Sequence, residues 1–206
     1  THITLPADSK NPLTMVNNAT RLAGIIRKNN ITHIHARSRA PAWSAYWAAQ
    51  ALHIPFITTY HAAYAGNSYM KKFYNSVMAR GDAVIAISHT IAAHIAAHYS
   101  DAAERIITIP RGIDLTRFNP ASITDAQKNS LRSTWNITPD TRVLLCPARL
   151  SPIKGQKVFI EALGVLAERK QLPANVAAII IGYDQGRTEY RQQLLEAITR
   201  TGAHAQ

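Results

Sequence analysis

Two cations five residues apart, Arg149 and Lys154, stand between an apolar run at 143–146 and Gly155, after which Val158, Phe159, Ala162, Leu163 and Leu166 recur at helical spacing. The run has the character of a strand in a parallel sheet covered on both faces, and Pro147, which cannot donate to a ladder, predicts its end near Arg149. A strand, a short loop and a helix opening at about Gly155 place both cations beyond a strand's carboxyl end. Open α/β sheets take ligands there, and the unpaired amides of a helix N-terminus favour an anion. Arg grips two phosphate oxygens through its planar fork and Lys adds a mobile point charge, so the pair suits a diphosphate better than a single carboxylate. Two solvated charges on a βα loop account for the same residues equally well.

Other constellations point less far. His94 and His98 lie four apart on a predicted helix with His89 nearby, but no Glu follows His94 as a metallohydrolase requires, and such histidines on an Ala- and Ile-rich helix are more often packing or surface residues. No metal is expected, and no Asp-x-Asp occurs. The stretch Gly182-Tyr183-Asp184-Gln185-Gly186 has the wrong spacing for a dinucleotide fingerprint, and Ser88, without a Gly-x-Ser-x-Gly elbow, reads as a helix cap. The single cysteine, Cys146, sits in the apolar run and reads as a small core residue.

The net charge of +11 divides evenly, +6 over residues 1–110 and +5 over 111–206. An even excess predicts attraction to phosphates and anionic lipid surfaces, and it is weaker evidence for nucleic acid than a clustered stripe. The best basic and aromatic cluster, Lys71 and Lys72 beside Phe73 and Tyr74, falls on a helix whose apolar face also holds Met70, Val77 and Met78, so these aromatics read as core. A non-catalytic basic module binding nucleic acid or another anion is the alternative from a different functional class. Hydrophobic residues make up 47% of the chain, and its longest clean apolar run, 176–181, is far short of the roughly 20 residues that span a bilayer. A globular cytoplasmic protein is expected from this, from the lone cysteine and from the lack of a charged-then-apolar leader.

The elements that must position these groups alternate. Asn11-Pro12 opens a helix with Leu13, Val16, Leu22, Ile25 and Ile26 on its buried face, and strands follow at 31–35, 55–60, 83–87 and 106–109 with helices between them, including 69–79 and 88–98. Arg37-Ser38-Arg39 lies just past the first of these strands. Residues 110–120 break the pattern with turn formers, and a polar helix at 123–134 precedes a second alternation: strand 143–148, helix 155–170, strand 176–181, and a helix over Tyr190, Leu194, Leu195 and Ile198. This predicts a first domain at 1–110, a hinge at 111–122 and the start of a second domain at 123–206. The opening on Thr1 and two βα units in the second half predict a chain incomplete at both ends.

Three stretches in order along the chain carry a family resemblance. They are His35-Ala36-Arg37-Ser38-Arg39-Ala40-Pro41-Ala42-Trp43 with Thr58-Thr59-Tyr60-His61; Ile107-Thr108-Ile109-Pro110-Arg111-Gly112-Ile113-Asp114 with Phe118-Asn119-Pro120; and Arg149-Leu150-Ser151-Pro152-Ile153-Lys154-Gly155. Together they resemble the group-1, glycogen-synthase-like family of retaining nucleotide-sugar-dependent glycosyltransferases, which have the GT-B fold of two facing Rossmann-like domains. The stretch from His35 to Trp43 looks like bacterial envelope-polysaccharide members. The resemblance implies an α/β, GT-B-like fold with both parallel-sheet domains incomplete here, an acceptor-side first domain and a nucleotide-sugar-binding second one. It implies a UDP- or GDP-sugar as substrate with no cofactor or metal, a saccharide or lipid-linked acceptor in lipopolysaccharide or exopolysaccharide synthesis, docking on the inner face of the cytoplasmic membrane, and no nucleic acid partner.

Residue by residue, Arg149 and Lys154 match the family's donor-diphosphate pair, with Gly155 beside them. His61 matches the histidine near the donor sugar, which would orient the sugar or support developing positive charge; without the family match it reads as a structural histidine bonded to a loop carbonyl. Arg37, Ser38 and Arg39 become acceptor-side candidates. The chain departs from the family in having Ala62 where glycine is usual and Arg111 where asparagine is usual, and it has neither the N-terminal glycine-rich loop nor the downstream Glu-x7-Glu motif. These 206 residues alone are therefore expected not to turn over.

Overall fold

A computed structural model describes residues 2–64, 68–186 and 188–202. It forms two compact units, Thr1–Asp114 and Leu115–Gln206, and the division falls inside residues 111–122. The first unit opens with α1 (Pro12–Lys28), where the Asn11 side chain accepts from the Leu13 amide at 2.9 Å and Pro12 takes a position that needs no donor. There follow β1 (Ile34–Ala36), α2 (Arg39–Leu52), β2 (Phe56–Tyr60), α3 (Tyr69–Ser76), a 3-10 turn Val77–Ala79, β3 (Ala83–Ala86), α4 (His89–His98), a 3-10 segment Ser100–Arg105 and β4 (Ile106–Thr108). All four strands are parallel in the order β1-β2-β3-β4, in register Ala36 to Thr58, Tyr60 to Ala86 and Ala86 to Thr108. Parallel pairing puts every segment that follows a strand on the same edge of the sheet, the edge where such sheets take ligands. Phe56, Tyr60, Val84 and Ile95 are wholly buried in the core of this unit.

The first strand begins three residues later than the apolar pattern suggests. Asn30, at φ 51°, turns the end of α1 so that the Ile31 amide donates to the Ile26 carbonyl at 3.0 Å. Ile31 is thereby spent on closing the helix, and the ladder with β2 starts at Ile34. The reading of 69–79 as one helix with a core-facing apolar stripe is corrected too. The helix tightens into a 3-10 turn after Ser76, and of the stripe's large apolar residues Val77 and Met78 are fully buried, whereas Met70 is 73% and Phe73 52% exposed. The segment enters the core from Tyr74 onward.

The second unit holds α5 (Asp125–Thr134), closed by a reciprocal Thr124 and Gln127 cap, then β5 (Arg142–Pro147), α6 (Gln156–Glu168), β6 (Val176–Ile181) and α7 (Thr188–Arg200). β5 and β6 pair in parallel from Arg142 with Val176 to Pro147 with Ile181. Leu150, Ile160, Tyr190, Leu194 and Ala197 form its core. The expectation that the 143–146 strand is covered on both faces fails: Leu144 and Leu145 are exposed, because among the described residues the sheet of this unit has two strands. An open cavity of about 920 Å³ lies within the unit, lined by Ile137, Leu163, Ile179 and Leu195 among others. The helix begins at Gln156 with Gly155 at its cap position, where the sequence places its opening. A 3-10 turn, Pro152–Lys154, precedes it, and Gly155, at φ +75°, is the left-handed joint between the two.

Candidate active site

The loop after β5 is held from three directions. The ladder continues past Pro147, since the Ala148 amide donates to the Ile181 carbonyl at 2.9 Å and the Leu150 amide to that of Tyr183 at 3.1 Å. Residues 182 and 183 therefore run beside Arg149. A β-carbon at Gly182 would sit 1.9 Å from the Ala148 carbonyl oxygen, so only glycine permits this approach. From below, the wholly buried Gln156 donates its Nε2 to the Arg149 carbonyl at 2.8 Å and the Ala148 carbonyl at 3.4 Å, while the Tyr190 hydroxyl donates to its Oε1 at 3.3 Å. Buried polar groups without partners are costly, and here each satisfies another.

On this base the two cations face solvent. Arg149 donates to Gln185 Oε1 at 3.1 Å, and Lys154 is exposed, its backbone amide tied to the Ser151 carbonyl at 2.9 Å. Arg149, Lys154 and Gly155 thus lie on one connection between the carboxyl end of β5 and the amino end of α6. An anionic group there meets two positive side chains and the free amides of the first helical turn. Gln156, Gly182 and Gln185 escape sequence reasoning. A glutamine after a helix start carries no periodic signal, and Gly182 is visible only as a strand-end glycine.

In the first unit the groups after the strands gather on the carboxyl edge. His61 follows β2, and its Nδ1 accepts from the Arg111 guanidinium at 3.0 Å. Partial burial holds the ring below the ordinary histidine range, and the charges of Arg111, Arg37 and His35 push the same way. The partner of His61 is thus a guanidinium rather than a loop carbonyl. His35 shares a 2.8 Å hydrogen bond with the Thr59 hydroxyl and is likewise lowered, by burial and then by Arg37. Arg37 and Ser38 are exposed, and Ser38 stands at the cap position of α2 without a side-chain capping bond. Arg39 is placed differently: it donates to the buried Asn75 at 2.8 Å, and its guanidinium lies 4.4 Å over the Tyr64 ring. It braces α2 against α3. His98 bonds the His94 carbonyl at 2.8 Å, and among the described residues no three metal-ligating side chains stand together.

Several known proteins are similar to this chain in sequence or fold. A glycosyltransferase from Rickettsia africae ESF-5 superposes with a TM-score of 0.80 and 33% identity over 98% of this chain and 52% of its own. A D-inositol 3-phosphate glycosyltransferase of Jonesia denitrificans is 25% identical over 197 residues, 80% of this chain and 45% of that relative. At 22% identity, an Anabaena protein, HepE, in complex with UDP-glucose shares the fold with a TM-score of 0.73, over 90% of this chain and 49% of its own. The chain spans about half the length of these relatives, or less. The shared architecture is GT-B, and the two parallel-sheet units are Rossmann-like. The sequence pattern of Glycosyltransferase Family 4 matches residues 1–117, more than half of the chain, and to that family the chain belongs.

Proposed function

We propose that the protein transfers a sugar from a nucleoside diphosphate to a saccharide or lipid-linked acceptor with retention and without a metal, in envelope-polysaccharide synthesis. The observation that carries this reading is the Arg149–Lys154 loop, pinned by Gln156 at the mouth of α6. As the glycosidic bond breaks, negative charge grows on the leaving diphosphate, and two fixed cations stabilise it more in the transition state than in the ground state. They supply what a metal ion would otherwise supply. A UDP-sugar is one candidate donor, since the Anabaena protein of the same fold is in complex with UDP-glucose; GDP-mannose is the other. His61 orients the donor sugar, and the exposed Arg37 and Ser38 face the acceptor. In this reading residues 1–110 are the acceptor side, 111–122 the hinge and 123–206 the beginning of the donor side.

The acceptor's setting is the inner face of the cytoplasmic membrane, with α3 as the contact: Met70 and Phe73 expose apolar surface beside the exposed Lys71 and Lys72. The test uses the full-length enzyme with UDP- and GDP-sugars and a chelator present, and the anomeric configuration of the product is read by NMR. Inversion, or loss of turnover with the chelator, sinks the mechanism. Flotation with anionic liposomes that is unchanged in a Lys71→Glu, Lys72→Glu double variant sinks the membrane contact.

A further inference from the structure

We propose that Arg111 is a positioning residue that fixes His61 as the neutral Nε2–H tautomer, so that His61 meets the sugar as a hydrogen-bond donor and never as a base or a cation. The role of His61 rests on the reaction proposed above, whereas its tautomer does not. A guanidinium has five N–H donors, no acceptor, and a charge that is permanent in proteins. At 3.0 Å from the Arg111 nitrogen, His61 Nδ1 can therefore only present its lone pair, and the proton of the neutral ring must sit on Nε2.

Protonating Nδ1 would set one N–H against another and two positive charges in contact. The other groups bearing on the ring add to this opposition. From β1 comes the His35 ring, from just beyond it Arg37 and from beyond β4 Arg111, and the nearby Tyr64 hydroxyl is engaged with the His61 backbone. No acidic group among these favours the imidazolium. The contact joins residues 50 apart, and it exists because β2 and β4 both end on the carboxyl edge of one parallel sheet.

The consequence for the reaction is specific. A donor-only imidazole can hold a sugar hydroxyl or carbonyl oxygen in place, but it cannot take the acceptor's proton. That proton must leave to another group, such as the departing phosphate.

The test is long-range proton–nitrogen NMR of ¹⁵N-histidine-labelled protein, with the His61 ring assigned by its loss in His61→Gln. In the wild type, Nδ1 should show a lone-pair shift and Nε2 a protonated one through the neutral range. In Arg111→Met the two tautomers should mix and the titration midpoint should move up toward the ordinary histidine value. Arg111→Lys, which keeps a charged donor, should retain the wild-type tautomer. The eight other histidines serve as the control for folding, since Arg111 is exposed and its loss should leave their signals in place. A proton on Nδ1 in the wild type, or an unchanged tautomer and midpoint in Arg111→Met, overturns the proposal. A second readout isolates the reaction: in the full-length enzyme the acid limb of the kcat/KM profile should move to higher pH in Arg111→Met. If the NMR changes occur and this limb stays put, Arg111 does govern the ring, and it is the role assigned to His61 in transfer that falls.

Discussion

Gln156 Nε2 donates to the carbonyl of Arg149 at 2.8 Å, so the residue that opens α6 holds the backbone of the residue whose guanidinium reaches Gln185 across the loop. Because Gln156 is wholly buried and also accepts from Tyr190, the bond lies where water cannot replace it. Gln156→Leu should lower stability by about 1–3 kcal/mol through the carbonyls and hydroxyl it leaves unpaired. Tyr190→Phe, which removes one 3.3 Å bond, should cost less, about 0.5–1.5 kcal/mol. Denaturant midpoints check both, and a midpoint that does not move in Gln156→Leu would mean the pin has no weight.

Gly182 sets the other wall of the same loop. Its missing side chain leaves room for the Ala148 carbonyl, which would otherwise lie 1.9 Å from a β-carbon; that carbonyl is backbone, and a β-carbon is fixed directly to its own backbone. Neither can swing away as a side-chain tip could, so Gly182→Ala must part the ends of β5 and β6. We expect a loss of about 1–3 kcal/mol in stability. In the full-length enzyme the displaced Arg149 should also weaken donor affinity. Unchanged affinity by calorimetry would show that the loop does not depend on this approach.

In the first unit the Thr58 hydroxyl, wholly buried in β2, donates to the Met78 carbonyl in the 3-10 turn after α3. The turn departs from the α-helical pattern here, and the hydroxyl satisfies a carbonyl that the helix cannot. Thr58→Val keeps the shape and strands that carbonyl, which should cost about 1–3 kcal/mol in thermal unfolding. A melting curve equal to wild type would assign the bond no net worth.

What the sequence made legible follows from the range of each signal. The alternation of strands and helices could be read because periodicity is local, and the place of Arg149, Lys154 and Gly155 between a strand end and a helix start could be read for the same reason. The 31–33 shift could not, since it depends on a hydrogen bond from Ile31 back to Ile26 that competes with the strand. The exposure of Leu144 and Leu145 depends on what lies beside β5 rather than on β5 itself. Met70 and Phe73 share a helical face with buried Val77, yet the helix tightens before that face is complete. His61 has no local pattern and needed the family resemblance to single it out. Arg111 showed itself only as a departure from that family, because its contact with His61 is set by sheet order.

The decisive test of the donor loop is Arg149→Lys in the full-length enzyme. Lysine preserves the charge but replaces a planar fork with a point charge on a flexible stem, so it cannot hold two phosphate oxygens at once. It also loses the fixed geometry that Gln185 gives the guanidinium at 3.1 Å. If Arg149 meets charge that develops on the leaving diphosphate, the loss should fall on kcat more than on donor affinity, by about 2–4 kcal/mol for one lost transition-state donor. Lys154→Ala should show the same split, because its exposed ammonium sits at the other end of the same connection. Single-turnover kinetics separate binding from chemistry. A near-normal rate in Arg149→Lys would make Arg149 a solvated surface charge and place the phosphate elsewhere. A change confined to donor affinity in Lys154→Ala would make that residue a uniform binder, one that holds the ground state and the transition state alike.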